Sequence, residues 1–375
     1  MTAWMLLLAL VGCKKGVEQD SAVPTQPVED AYYDVQDFKI ETDASGLATL
    51  TFEVEEGHTA VLVTASSKDS FVGVNALVNP DGHYTLDVDD WWYNEKALTD
   101  AFFASTYTTA LNWPIRGMDP PLTPGVWSVE YYAASMMGQY QSTKLTGKVH
   151  LKRDNDLAFG TTHVRVVYAK DTDKPKVKNG MEIALQRWTE IWAARGLTLD
   201  AQEVSSELDK DLGFAWDSIG SKDIEDLAST FPEGTLVLVV GETIDNDMDL
   251  YGLAGGIPGA IHDTPMTWVL VSWLTHAGAD GIFVEDEARM FGETMAHEIG
   301  HYTGLFHPVE CGLDCGQNWD ALMDTPDCVG WQDCEEDLAS NLMFPYPVCG
   351  MSDCTPAGDL TRDQEEVVQQ YLGTQ

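Results

Sequence analysis

The chain has 375 residues, 44% of them hydrophobic and 10% aromatic, enough to bury two ordinary cores and too apolar for a disordered chain. Its 61 acidic against 21 basic residues give a formal net charge of -40, which repels phosphate backbones and anionic membrane surfaces and argues against nucleic acid as a partner. Most of that acidity reads as a solvated surface. The run Asp245-Asn246-Asp247-Met248-Asp249 has the hard oxygen ligands that Ca2+ takes, without the glycine and distal Glu of an EF-hand.

Trp4 to Val11 is an apolar run too short to span a bilayer and placed where a secretory signal belongs. It ends in Leu10-Val11-Gly12-Cys13, which resembles the bacterial lipobox. That resemblance implies a lipoprotein signal peptide at 1–12 and a mature chain that begins at Cys13. The protein would be exported and held at the cell envelope or surface only through a lipid on Cys13, or released from there. Residues 13–30 are polar, with Pro24 and Pro27, and read as a flexible linker.

From 31 to 155 the chain reads as short alternating strands: Ala48–Val54, Ala60–Thr64, Tyr84–Val88, Val126–Tyr131 and Gly147–Leu151. Turn signals such as Asn79-Pro80-Asp81-Gly82 and Thr123-Pro124-Gly125 separate them. This pattern predicts an all-β sandwich. From 156 to 375 strands alternate with helices: a strand at His163–Tyr168, an amphipathic helix at Gly180–Arg195 carrying Ile183, Leu185, Trp188, Ile191 and Trp192, strands at Leu236–Val240 and Trp268–Trp273, and a helix at Glu285–Tyr302. A second domain of mixed α+β type is expected there. No internal repeat or later membrane segment is visible. Besides Cys13 there are six cysteines, Cys311, Cys315, Cys328, Cys334, Cys349 and Cys354. In an exported chain they read as disulfides, whose pairing the sequence leaves open.

The chemistry lies in His297-Glu298-Ile299-Gly300-His301-Tyr302-Thr303-Gly304-Leu305-Phe306-His307. Histidines four apart on a helix share one face and can converge on one metal ion. Gly304 can take the left-handed conformation that ends the helix and returns His307 to the same ion. Three nitrogen ligands to Zn2+ leave a fourth position for water, the arrangement of a catalytic site. Glu298, beside the first ligand, is placed to act as general base. By average composition a chance match to five fixed positions is on the order of 10⁻⁵ in a chain this long. His58, His83, His150, His163, His262 and His276 lack mutual ligand spacing and receive no function.

This string resembles the extended zinc motif of the metzincin metallopeptidases. The resemblance implies a methionine turn beneath the metal, for which Asn341-Leu342-Met343 is the candidate, and a cleft edge strand at Tyr251–Gly259, along which a substrate would add as an antiparallel strand. The order Asp324-Thr325-Pro326, Asn341-Leu342-Met343 and Leu360-Thr361-Arg362-Asp363-Gln364, interleaved with the cysteines, is most similar to the pappalysin and cytophagalysin branch. Pro308 after the third histidine, and Pro345 in place of the tyrosine often found after the methionine turn, depart from that branch. The expected architecture is therefore a metzincin-like α+β catalytic domain, a mixed twisted sheet with an active-site helix, at 156–375. A jelly-roll-like sandwich at 31–155 would precede it as an accessory or pro-domain. The expected activity is zinc-dependent endopeptidase action on extracellular or envelope polypeptides. The alternative is a surface-tethered binding lipoprotein with a structural, non-catalytic zinc, for which the Glu beside the first ligand would have no use.

Overall fold

The computed structural model describes residues 32–88, 96–153, 160–169, 172, 174–204, 222–244, 247, 249–278, 280–309, 319–326, 331–349 and 354–375. The expected signal peptide, the linker with Cys13, and Cys311, Cys315 and Cys328 lie outside the described residues. Tyr33–Gln375 form one compact unit of mixed α+β structure.

Its first part holds β1 (Tyr33–Glu41), β2 (Leu47–Val54), β3 (Ala60–Ser66), β4 (Phe71–Val78), β5 (Tyr84–Asp87), β6 (Lys96–Ala97), a 3-10 turn at Asp100–Phe102, β7 (Thr108–Trp113), β8 (Gly125–Ala134) and β9 (Lys144–Lys152). Two four-stranded antiparallel sheets result, ordered β1-β9-β3-β7 and β2-β8-β4-β5. The alternation expected of a half-buried strand is kept in β8, where Trp127, Val129, Tyr131 and Ala133 are buried. Tyr131 stacks on Phe38 of β1 with ring centroids 6.3 Å apart, so the two sheets meet through this layer.

The second part runs β10 (Gly160–Tyr168), α1 (Pro175–Ala193), β11 (Leu197–Val204), α2 (Lys222–Ala228), β12 (Leu236–Gly241), β13 (Gly252–Ala254), β14 (Val269–Ser272), α3 (Trp273–Ala277), α4 (Glu285–Tyr302), β15 (Trp319–Asp320), α5 (Trp331–Leu338) and α6 (Arg362–Gln370). Its sheet is ordered β11-β10-β12-β14-β13. The first four of those strands are parallel, and β13 pairs antiparallel with β14 at the edge. Every residue of β12 and β14 is buried, as unbroken apolar runs require when both faces of a parallel sheet are covered.

Helix α1 buries Val177, Met181, Ala184, Trp188, Ile191 and Trp192. Two residues expected on that stripe are not on it: Ile183 is 38% exposed and Leu185 only half-buried. The rotation follows from a close crossing with α4. A Cβ on Gly292 would sit 2.3 Å from the Ala184 carbonyl oxygen, so the two backbones touch at small residues and that contact sets the face.

The end of the chain is held by the first sheet. The Asn112 side chain on β7 donates to Gln370 O (3.2 Å) and accepts from Leu372 N (3.0 Å). Tyr33 donates to Leu372 O (2.9 Å), and the buried Lys152 of β9 donates to Thr374 O (2.6 Å). Among the described residues no helix is long and apolar enough to cross a membrane.

Candidate metal centre

Helix α4 carries Glu285, Asp286 and Glu287 in its first turn, where negative charge complements the helix dipole, and the Glu287 carboxylate accepts from the Val284 N–H at 2.8 Å. It ends at Gly304, whose φ of 114° few other residues would adopt. Gly304 N donates to His301 O and Leu305 N to Gly300 O, both at 2.9 Å, the pair of bonds that closes a helix and reverses the chain. His307 is thereby returned to the helix face that bears His297 and His301.

The ligand atoms of His297, His301 and His307 all lie within 4.8 Å of one another. His307 Nε2 is 3.1 Å from His297 Nε2 and 3.0 Å from His301 Nε2. The opposite ring nitrogens are fixed by the backbone: His297 Nδ1 donates to Leu342 O and His301 Nδ1 to Leu305 O, each at 2.7 Å. A ring that donates from Nδ1 and stays neutral presents a lone pair at Nε2. Burial keeps both rings neutral, pushing His297 down to about 3, with His307 adding to the shift and the Leu342 carbonyl opposing it. His301 is held well below its ordinary value by burial, with His307 and His297 adding to the shift. The lone pairs of His297 and His301 converge with His307 Nε2 in a partly buried site, where a cation could be held among the three nitrogens. The donor set thus fits a nitrogen-binding metal such as Zn2+.

The floor is the segment Asn341–Met343. Met343 is fully buried, and a Cβ on Gly300 would stand 2.7 Å from its sulfur, so the glycine in the motif makes room for the methionine. The Asn341 side chain shapes this turn by accepting from Met343 N at 2.9 Å. It is itself held by two-way amide bonds to Gln364, at 2.9 and 3.2 Å. Gln364 also accepts from Thr361 N and caps α6. The same turn supplies Leu342 O to His297 and so couples the floor to a ligand.

Glu298 is 7% exposed, and burial pushes its carboxyl up to about 8. It lies against the edge strand: a Cβ on Gly252 would be 2.4 Å from Glu298 Cγ and 2.5 Å from its Oε1. A cavity of about 80 Å³ opens beside it, lined by Tyr251, Met290, Thr294, Phe344 and Tyr346 together with His297 and Glu298. The Tyr346 hydroxyl donates to the Glu335 carboxylate of α5 and is committed there. Glu293, one turn before the motif, is clamped by Arg289 (2.8 Å to each oxygen) and Arg187 of α1 (2.9 Å).

Of the histidines given no function, His276 supports the centre from α3. Its Nε2 pairs with Thr294 of α4 at 2.8 Å and its Nδ1 with Ser272 O at 2.5 Å, and it packs edge-on to Tyr251. No sequence spacing signals this role, because the contact crosses between elements. The calcium expectation gains no support. Asp247 Oδ1 accepts from Asp249 N in an exposed turn, and among the described residues no acidic ligand group forms there. Asp245, Asn246 and Met248 lie outside the described residues. Cys349 and Cys354 form a disulfide, and Cys334 is also disulfide-bonded.

No family model matches the chain, and no curated protein does. Among solved structures, archaemetzincin from Methanopyrus kandleri is similar at 14% identity and a TM-score of 0.30, over 56% of this chain and 95% of its own. A zinc-dependent peptidase from Methanocorpusculum labreanum matches at 11% identity and a TM-score of 0.29, over 55% of this chain and 92% of its own. Metalloproteinase-II from Bacteroides fragilis matches at 11% and 0.28, over 43% of this chain and only 53% of its own length. Overlaps of that size do not establish a common fold, and the functional reading rests on the geometry of the centre.

Proposed function

We propose that this chain is a zinc-dependent endopeptidase of the metzincin type, nearest in motif order to the pappalysin and cytophagalysin branch, acting on extracellular or envelope polypeptides. The observation that carries the reading is the convergence of three imidazole Nε2 atoms, two with their Nδ1 atoms bound to main-chain carbonyls, beside a buried carboxylate at an open sheet edge. His297, His301 and His307 would hold the metal, and Glu298 would serve as base. Zn2+ at three nitrogens supplies Lewis acidity, polarising a carbonyl and lowering the pKa of water.

The chain's own residues do the rest. The free edge of β13 pairs with an extended substrate through main-chain hydrogen bonds. Because Gly252 has no side chain, the scissile amide reaches Glu298 closely. The carboxylate accepts a proton from the attacking water and gives it to the leaving amine nitrogen, so its proton balance closes in each turnover. The cavity beside Tyr251 and Phe344 receives the side chain that follows the cleaved bond. The two amino-terminal sheets form a sandwich of accessory type, and export on a Cys13 lipid remains part of this reading.

The test is metal dependence on an unfolded polypeptide. Cleavage by the full chain should vanish on chelation and return on adding about one equivalent of zinc. Cleavage that survives complete metal removal would refute the reading.

A further inference from the structure

Beyond Ala254 the chain runs on from the cleft edge and forms one wall of a second cavity, of about 190 Å³. Leu253, Pro258 and Met266 line it from the edge-strand side, and Asp100, Phe103 and Thr106 from the amino-terminal part. The two walls are joined by one main-chain and one side-chain bond: Asp100 N donates to Ile257 O at 2.8 Å, and Asp100 Oδ2 accepts from Ile257 N at 2.7 Å. Asp100 is the one ionisable side chain among the described residues that line this cavity. Among the described residues no hydrogen bond reaches its Oδ1. One carboxylate oxygen is thus spent on fixing the wall and the other is left for a ligand.

The direction of β13 decides which part of a substrate arrives here. The strand starts at Gly252 against Glu298 and runs toward Gly255 and Ile257. A substrate strand lying antiparallel to it has its amino-terminal residues beside the cavity, about two to four positions before the cleaved bond at roughly 3.4 Å per residue. Phe103, Leu253, Pro258 and Met266 offer apolar walls for a methylene stem, and Asp100 is the lining group able to pair with its charged head.

We propose that this cavity selects a Lys or Arg side chain about two to four residues upstream of the scissile bond, with Asp100 as the residue that recognises the cation. The proposal rests on the peptidase reading and names a substrate class for it. The net charge of -40 acts in the same direction by drawing basic polypeptides to the molecule. In the cavity without a ligand, burial pushes the Asp100 carboxyl up to about 7 against the pull of the Ile257 N–H, and an incoming cation would favour its ionised form.

The experiment uses the zinc-loaded full chain and peptides identical except at one upstream position, which holds Arg, its uncharged isostere citrulline, or Leu. At one such position kcat/KM for Arg should exceed that for citrulline by about tenfold or more, as a charged hydrogen bond allows. Asp100→Asn keeps an acceptor for Ile257 N and should bring that ratio to about one. A ratio near one at every upstream position, a preference for Leu over Arg, or an Arg preference that persists in Asp100→Asn would each overturn the proposal. If wild type cleaves no peptide, it is the peptidase reading that fails. Binding of the same peptides, followed by titration calorimetry, then decides the pocket by itself: equal affinity for Arg and citrulline sinks it, and tenfold tighter Arg binding lost in Asp100→Asn upholds it.

Discussion

At the level of single residues, the centre depends on atoms that are missing as much as on those present. Gly252 and Gly300 lie in two different segments, and each lacks a side chain where Glu298 or Met343 needs the space. Gly252→Ala would drive its methyl into Glu298 and displace the carboxylate proposed as base. A misplacement of about 1 Å costs on the order of 100-fold in rate, so kcat/KM should fall by about that factor while bound zinc stays at one per chain. Unchanged turnover would contradict the contact. The three histidines and Glu298 were legible in the sequence because helical spacing and one glycine fix their directions. Gln364 appeared only as part of a motif, and its bond to Asn341 spans 23 residues, a partnership that no periodicity encodes.

Among the elements, the helix that bears His297 and His301 matches the expected Glu285–Tyr302 because acidic residues mark its start and Gly304 its end. Strands β1, β4 and β7 lack the alternating pattern by which a half-buried strand is recognised. All of β7 is buried and β4 nearly so, which removes the alternation, while β1 is largely polar and exposed. His276 ties α3 to α4, and burial pushes it down to about 4, opposed by the Ser272 carbonyl. The sign follows: from about pH 6.5 the unfolded chain takes up a proton that the folded chain refuses until about pH 4. Stability from this residue is therefore complete above pH 6.5 and is lost as pH falls across that window, at up to about 1.4 kcal/mol per unit. Urea midpoints between pH 7 and 4.5 should fall less steeply in His276→Gln than in wild type. Equal slopes would show that the ring titrates normally.

For the molecule as a whole, the two parts share their ends. Asn112, Lys152 and Tyr33 satisfy backbone groups of residues 370–374, and Asp100 does the same for Ile257. Removing the first 159 residues would take away those hydrogen bonds, each a net contribution of about 0.5–1.5 kcal/mol, and would open the apolar surface beneath them to water. We therefore expect residues 160–375 alone to show no cooperative thermal transition by circular dichroism. A folded fragment with raised turnover would instead mark the amino-terminal sheets as an inhibitory segment. The sequence pointed to two domains from a change of pattern near residue 156. It could not show that the last residues pair with β10 through Thr374 and Gln375 while side chains of the first sheet bind their backbone, since nothing local in them requires it.

In the proposed reaction Glu298 is the base beside a metal held by His297, His301 and His307. The most direct test compares the zinc content and peptide turnover of the full chain with those of Glu298→Gln, which keeps the shape and removes the proton acceptor. About one zinc per chain is expected in both proteins, with a fall in kcat of about 10² to 10⁴ in the variant. Equal turnover with equal zinc would contradict that role.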